Sequence, residues 1–188
     1  MLSFQGDFEA HTRAVQQAGA EPLQVRNRDQ LGQCEALIIP GGESTTFLKF
    51  LELENFTQPL IDFGRERPIF GTCAGAILLA SQVENPPQFS LGLMDMTVRR
   101  NAYGRQADSH SEICRSEMLQ PDSFEAIFIR APAITRVGDQ VQVLASRDSN
   151  PIWVRQGLHW AATFHPELSR DRRIHELFLE ETRKRANR

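Results

Sequence analysis

A short apolar run that breaks at a glycine and resumes in helix-forming residues constrains this chain more than any other feature. The stretch is Pro68-Ile69-Phe70-Gly71-Thr72-Cys73-Ala74-Gly75-Ala76-Ile77-Leu78-Leu79-Ala80. It reads as a strand turning sharply into a helix that runs to about residue 82, with Cys73 at the corner. Gly71 and Gly75 lack side chains, so strand and helix can approach closely there. At the first turn of a helix, unpaired N–H groups and the helix dipole favour a thiolate. The same residues also suit a small buried cysteine with no chemistry, so the stretch alone leaves both readings open.

The flanking pattern sets the fold class. Residues 36–39 form a fully apolar run, and further apolar segments at 22–25, 93–99, 124–129, 141–145, 152–155 and 158–164 read as strands. Helical segments over 8–18, 57–65 and 172–184 separate or follow them. In the first of these, Phe8, Thr12, Val15 and Ala18 are expected on one face, with Asp7 as N-cap. Continuous apolar strands alternating with helices imply a mostly parallel central sheet covered on both faces, a three-layer α/β sandwich. With 188 residues and 40% hydrophobic content, the chain suits one compact domain over residues 1–188. A net charge of −3 gives no reason to expect nucleic acid or an acidic membrane as partner. No apolar run approaches a membrane span, and the start lacks a charged-then-apolar leader. The three cysteines, Cys34, Cys73 and Cys114, are too scattered for a disulfide framework or a zinc pattern, which points to a reducing cytoplasm.

Three loops stand at the ends of strands. Pro40-Gly41-Gly42-Glu43-Ser44-Thr45-Thr46 precedes a helical run and can aim backbone N–H groups at an oxyanion or a carboxylate. It also suits a tight turn with Ser44 or Thr45 as N-cap. Arg99, Arg100 and Arg105 cluster in a segment that is either a solvated loop or a carboxylate clamp. Arg130 follows the strand ending at Ile129. The last strand runs into His165-Pro166-Glu167. Pro166 keeps this segment out of a helix, so residues i and i+2 share a side and the Glu167 carboxylate can meet the His165 ring. A carboxylate on one ring nitrogen fixes the tautomer and leaves the other nitrogen free as a base. A thiol in an elbow and a carboxylate-bound histidine, both at strand ends, favour the catalytic reading of Cys73. His11, His110, His159 and His175 lack such company and read as structural or surface residues.

Gly71-Thr72-Cys73-Ala74-Gly75 and Phe164-His165-Pro166-Glu167-Leu168 together resemble the triad glutamine amidotransferases. Residues 40–46, Arg100-Asn101-Ala102-Tyr103-Gly104-Arg105-Gln106 and Phe128-Ile129-Arg130-Ala131-Pro132 narrow the likeness to the glutaminase subunits of pyridoxal 5′-phosphate synthases, across essentially the whole chain. The resemblance implies Cys73 as nucleophile, with His165 and Glu167 as its partners. It implies glutamine contacts from Gly42, Glu43, Ser44, Arg100, Ile129 and Arg130. It also implies a barrel-type synthase subunit, with which such subunits form a hetero-oligomer and to which ammonia passes. Gln5, Gly6 and His11 match a segment that faces that partner. Family members usually carry a longer apolar first strand than the Met1-to-Phe4 run, so either the start lies upstream or the strand is truncated. Glutamine hydrolysis by these residues would run through a thioester on Cys73, with backbone N–H groups of Gly42 and Ala74 as the oxyanion site. This half-reaction needs no metal or organic cofactor.

Overall fold

The computed structural model describes residues 1–100 and 109–186. At its centre lies a five-stranded sheet in the order β1 (Leu37–Ile39), β2 (Ile69–Thr72), β10 (His159–Ala162), β9 (Asn150–Gln156) and β8 (Gln142–Arg147). β1, β2 and β10 run parallel, with Ile39 opposite Gly71 and Ala162 opposite Thr72. The outer pairings, β10 with β9 and β9 with β8, are antiparallel. The sheet is therefore mixed where a mostly parallel one is expected. The reason is local. Asp148 and Ser149 between β8 and β9 both take positive φ, at 45° and 67°, and so does Gly157 between β9 and β10, at 55°, which suits the tight hairpin turns of antiparallel neighbours. Beside β1, the short N-terminal run extends the sheet: the Leu2 N–H donates to Ile38 O at 2.9 Å and Leu2 bridges Val25 in parallel.

Alternation along these strands splits the core into two layers. Leu37, Ile39, Ile69, Val154 and Ala161 face one cluster, and Ile38, Phe70, Trp153, Trp160 and Ala162 face the other. Over the first lie α2 (Arg28–Gly32), α3 (Ser44–Leu53), α4 (Thr57–Glu66), α5 (Ala74–Leu79) and a small sheet of β3 (Ala80–Glu84), β4 (Met94–Arg99) and β7 (Ala133–Val137). Over the second lie α1 (Phe8–Gln17), α6 (Arg173–Ala186) and the hairpin of β5 (His110–Arg115) and β6 (Ser123–Phe128). The second layer is aromatic. Trp153 and Trp160 ring centroids stand 5.5 Å apart, and Phe178 of α6 packs on Phe70 at 5.4 Å. Each such buried ring contributes about 1.5–3 kcal/mol. Helix α6 is thereby pinned to the back of β2 and β10.

Two elements depart from the sequence reading. The helix after Cys73 ends at Leu79, and Ala80–Glu84 is a strand pairing in parallel with β4. Its burial, with Ala80 and Val83 inside and Ser81, Gln82 and Glu84 outside, has the i, i+3 spacing of a helix face, so it is the pairing with β4, with its register shift between Ala80 and Gln82, that makes this segment a strand. In α1 the buried residues are Ala10, His11, Ala14 and Val15, so the helix turns His11 inward rather than Phe8 and Thr12. Asp7 makes no capping hydrogen bond.

Candidate active site

The three adjacent parallel strands end together, and the residues that follow them meet at one edge of the sheet. β1 delivers Gly41 and Gly42, β2 delivers Cys73, and β10 leads through Thr163 and Phe164 to His165. The convergence is tight. A methyl group on Gly41 would stand 2.4 Å from His165 Cε1 and 3.3 Å from Cys73 Cβ. Cys73 itself sits at φ 49°, ψ −104°, the residue before α5. That region is costly for a residue with a Cβ. The corner is held by the Cys73 N–H donating to Ala162 O at 2.8 Å and the Ile77 N–H to Cys73 O at 3.3 Å. It also needs glycine behind it: a methyl on Gly75 would stand 2.1 Å from Ile39 O.

His165 is fixed from below. Its N–H donates to Ile127 O at 2.8 Å, and its Nδ1 lies 2.7 Å from Glu167 Oε1. Both side chains are almost fully buried. Burial works to lower the His165 pKa, but hydrogen bonds to Cys73 and Glu167 and their charges outweigh it and push it up to about 10. Burial works equally to raise the Glu167 pKa. The neighbouring His11, and then His165, outweigh that and hold this carboxyl well below the usual carboxylate range. The arrangement stabilises an imidazolium on the Glu167 carboxylate, on the wall of the cleft that Cys73 also lines.

A cleft of about 360 Å³ opens in front of Cys73 and His165. Its walls carry Gly42, Glu43, Ser44, Arg100, Ile129 and Arg130, so every substrate-contacting residue expected from the sequence lines it, together with Gly6, Asp7, Gly41, Ile77 and Pro132. Glu167 stands behind His165 rather than in the cleft, and Ala74 opens α5 directly after Cys73. The glycine loop is clamped: Gln5 Nε2 donates to Glu43 O at 2.8 Å and the Glu43 N–H donates to Gln5 Oε1 at 3.3 Å. Of the capping alternatives for this loop, Ser44 donates instead to Gln88 Oε1 at 2.9 Å, while the hydroxyls of Thr45 and Thr46 bond the Glu43 carboxylate. Arg130 is a second strained residue on the wall, with φ 44°. The rest of the arginine motif, Asn101 to Gln106, lies outside the described residues. A larger hollow of about 430 Å³ surrounds Cys34 and Met1, but no histidine lines it. Among the described residues, no group of three or more His, Cys, Asp or Glu side chains could hold a metal ion. Nor, among them, is any helix long and apolar enough to cross a membrane.

Two residues of the site escaped the sequence reading. His11 and His175 are wholly buried. His11 Nε2 lies 3.1 Å from Glu167 Oε2 and 3.0 Å from Thr72 Oγ1, and His11 Nδ1 lies 3.0 Å from His175 Nε2. Their signal was present. His11, Ala14, Val15 and Ala18 are spaced i, i+3, i+4, i+7, and His175, Phe178 and Thr182 repeat that spacing, so both histidines belong to apolar helix faces.

Comparison with known proteins shows the family and the fold. Residues 1–184 match the SNO glutamine amidotransferase family. A pyridoxal 5′-phosphate synthase subunit PdxT of Solibacter usitatus is 53% identical over 184 residues, covering 95% of this chain and 96% of that protein. The protein of the same description from Koribacter versatilis is also 53% identical, over 97% of this chain and 94% of its own. A crystal structure of a glutamine amidotransferase superposes with a TM-score of 0.90 at 42% identity, covering 96% of each chain.

Proposed function

Since the chain belongs to the SNO glutamine amidotransferase family, we propose that it is the glutaminase subunit of a pyridoxal 5′-phosphate synthase, hydrolysing L-glutamine to L-glutamate and passing the ammonia to its synthase partner. The observation that carries this reading is the buried Glu167–His165 pair, whose histidine lines one cleft with Cys73 at the carboxyl edge of the parallel strands. Relatives bearing the synthase-subunit name match over nearly the full length of the chain, which supports the barrel-type synthase as the partner in a hetero-oligomer. Residues 1–188 act as one glutaminase domain, in the cytoplasm, with no part for nucleic acid or membrane.

The chemistry follows from the charge arrangement. The Cys73 thiolate attacks the side-chain amide carbon of glutamine, and the carbonyl oxygen becomes an oxyanion held by the backbone N–H groups of Gly42 and Ala74. As the C–N bond breaks, His165 gives its Nε2 proton to the departing nitrogen, and ammonia leaves a glutamyl thioester on Cys73. His165, now neutral, takes a proton from water as that water attacks the thioester carbon. Glutamate departs and the thiolate is restored beside a protonated His165. Throughout, Glu167 stabilises the imidazolium and keeps Nδ1 as the donor, so Nε2 faces the reaction. Arg100 and Arg130 supply the positive charge that an α-carboxylate needs, and Glu43 faces the α-ammonium group.

The test is a glutaminase assay on the chain with and without its barrel-type synthase, using wild type and Cys73→Ala. Activity in the wild-type complex that disappears in Cys73→Ala, with the complex still assembling, is the expected result. Glutamine hydrolysis that survives Cys73→Ala, or a chain that binds no such synthase, would overturn the reading.

A further inference from the structure

Resting on that reading of the triad, we infer that His11 is a positioning residue for Glu167, and that its Nε2–H, shared between Thr72 Oγ1 and Glu167 Oε2, sets the rotation of the carboxylate that His165 depends on. Glu167 is wholly buried in its side chain. One oxygen, Oε1, meets His165 Nδ1 at 2.7 Å. The other, Oε2, makes no aligned hydrogen bond, and the polar atom beside it is His11 Nε2 at 3.1 Å. If Nε2 carried a lone pair, a buried carboxylate oxygen would face no hydrogen at all, the arrangement that protein interiors avoid most strongly. A proton on Nε2 removes the conflict. It lies in line with Thr72 Oγ1 at 3.0 Å and turns its positive charge towards Oε2 as well.

The surrounding groups fix His11 in that role. His11 projects from α1 and is held on its other nitrogen by His175 of α6, Nδ1 to Nε2 at 3.0 Å. Thr72 comes from the end of β2, immediately before the nucleophile. Arg172 stands behind, donating to the backbone carbonyls of Glu167 and Ser169 at 3.2 and 2.7 Å. The carboxylate therefore has a histidine nitrogen beside each oxygen, hydrogen-bonded at Oε1 and adjacent at Oε2, from different parts of the chain. A carboxylate held only through Oε1 could rotate about its last torsion, which is broad, and its bond to His165 would weaken. His11 does not line the cleft, so its effect must travel through Glu167. At metal-bound histidines, losing the outer hydrogen-bond partner typically costs roughly 10–100-fold, and a loss of the same order is expected here.

Three variants and one mutation-free measurement test this in the complex with the synthase. His11→Leu, which keeps bulk but removes the N–H, should lower kcat roughly 10–100-fold and leave the KM for glutamine nearly unchanged. His11→Gln, whose amide N–H reaches the same place as Nε2–H, should recover most of that loss. In His11→Leu the His165 ring, followed by NMR, should titrate closer to the ordinary histidine value of 6.5 than in wild type, a change that loosened packing alone does not produce. A folded His11→Leu with wild-type kcat and unchanged His165 titration would overturn the inference. Cys73→Ala in the same assay separates this failure from failure of the triad itself. Should His11→Leu not fold, nitrogen NMR of the wild-type histidines decides. Protonated His11 Nε2 supports the assignment, and a lone pair on that nitrogen refutes it.

Discussion

Replacing Glu167 by Gln probes the site at its most buried charge. The substitution keeps size and shape, so the damage is electrostatic. In the native protein both carboxylate oxygens face histidine nitrogens, at 2.7 Å for His165 Nδ1 and 3.1 Å for His11 Nε2. A carboxamide has one oxygen and one NH2 group. With its oxygen towards His165 the NH2 faces the His11 N–H; with the reverse orientation it faces His165 Nδ1–H. Either way one donor confronts another in a buried space. Relief by losing the Nδ1 proton would leave a neutral ring whose only hydrogen is on Nε2, and that proton could not pass to the departing nitrogen without leaving an imidazolate, the wrong-tautomer failure known for catalytic triads. Removing one partner of a buried charge pair costs about 3–5 kcal/mol. Taken wholly in the transition state, that is a fall in kcat of roughly 10²–10⁴. The assay is steady-state glutamate release by the complex, with circular dichroism to establish that Glu167→Gln is folded. A folded Glu167→Gln retaining kcat within about threefold of wild type, a loss under roughly 0.7 kcal/mol, would refute the electrostatic role given to this carboxylate.

Three further outcomes are expected. Gly75→Ala places a methyl 2.1 Å from the Ile39 carbonyl oxygen; since backbone cannot give way cheaply, overpacking of about 1–3 kcal/mol should lower Tm by roughly 3–10 °C, and an unchanged melting curve would contradict the packing described for the elbow. Arg100→Ala and Arg130→Ala should each reduce kcat/KM for glutamine by about tenfold or more, and wild-type kinetics in both would remove these side chains from substrate recognition. Burial holds the pKa of His159 down and drives that of His175 down to about 3, so as pH falls below 6.5 the unfolded chain binds protons that the folded chain refuses and stability declines. The depressed Glu167 carboxyl adds a further loss below its ordinary 4.5. The raised His165 acts oppositely: its contribution is complete below 6.5 and disappears as pH rises towards about 10. Denaturant midpoints measured across pH should therefore fall on both sides of neutrality, and a flat acid limb between 4.5 and 6.5 would contradict the buried neutral histidines.

Much of the site was legible because its signals are local. The Gly71-to-Gly75 corner, the Gly41-Gly42 turn and the His165-Pro166-Glu167 run each encode a backbone shape in a few adjacent residues, and their positions after apolar strands put them at one sheet edge. The His165–Glu167 contact follows from a two-residue spacing, and the structure has it at 2.7 Å. What the sequence did not disclose depends on contacts far apart in the chain. His11 and His175 are 164 residues apart, and nothing local says that α1 and α6 pack side by side behind β2. The inward turn of His11 was readable from its spacing with Ala14, Val15 and Ala18, but Phe8 and Thr12 offered a rival face. The helix expected to run to about residue 82 stops at Leu79, because the spacing of Ala80 and Val83 suits a helix as well as a strand and pairing with β4 decides between them. The mixed character of the central sheet is set by two tight turns, Asp148-Ser149 between β8 and β9 and Gly157-Leu158 between β9 and β10, whose positive φ values at Asp148, Ser149 and Gly157 a turn signal alone does not specify.

The central claim is that Cys73 carries the glutamyl group. Its most direct test is to mix the complex with glutamine, quench in acid within the first turnovers, and map the adduct by peptide mass spectrometry. The account predicts the mass of a glutamyl thioester on the peptide containing Cys73, absent from Cys73→Ala and from the peptides containing Cys34 and Cys114. Ammonia released in a burst with no adduct on Cys73, or with the adduct on Cys34 or Cys114, would contradict it.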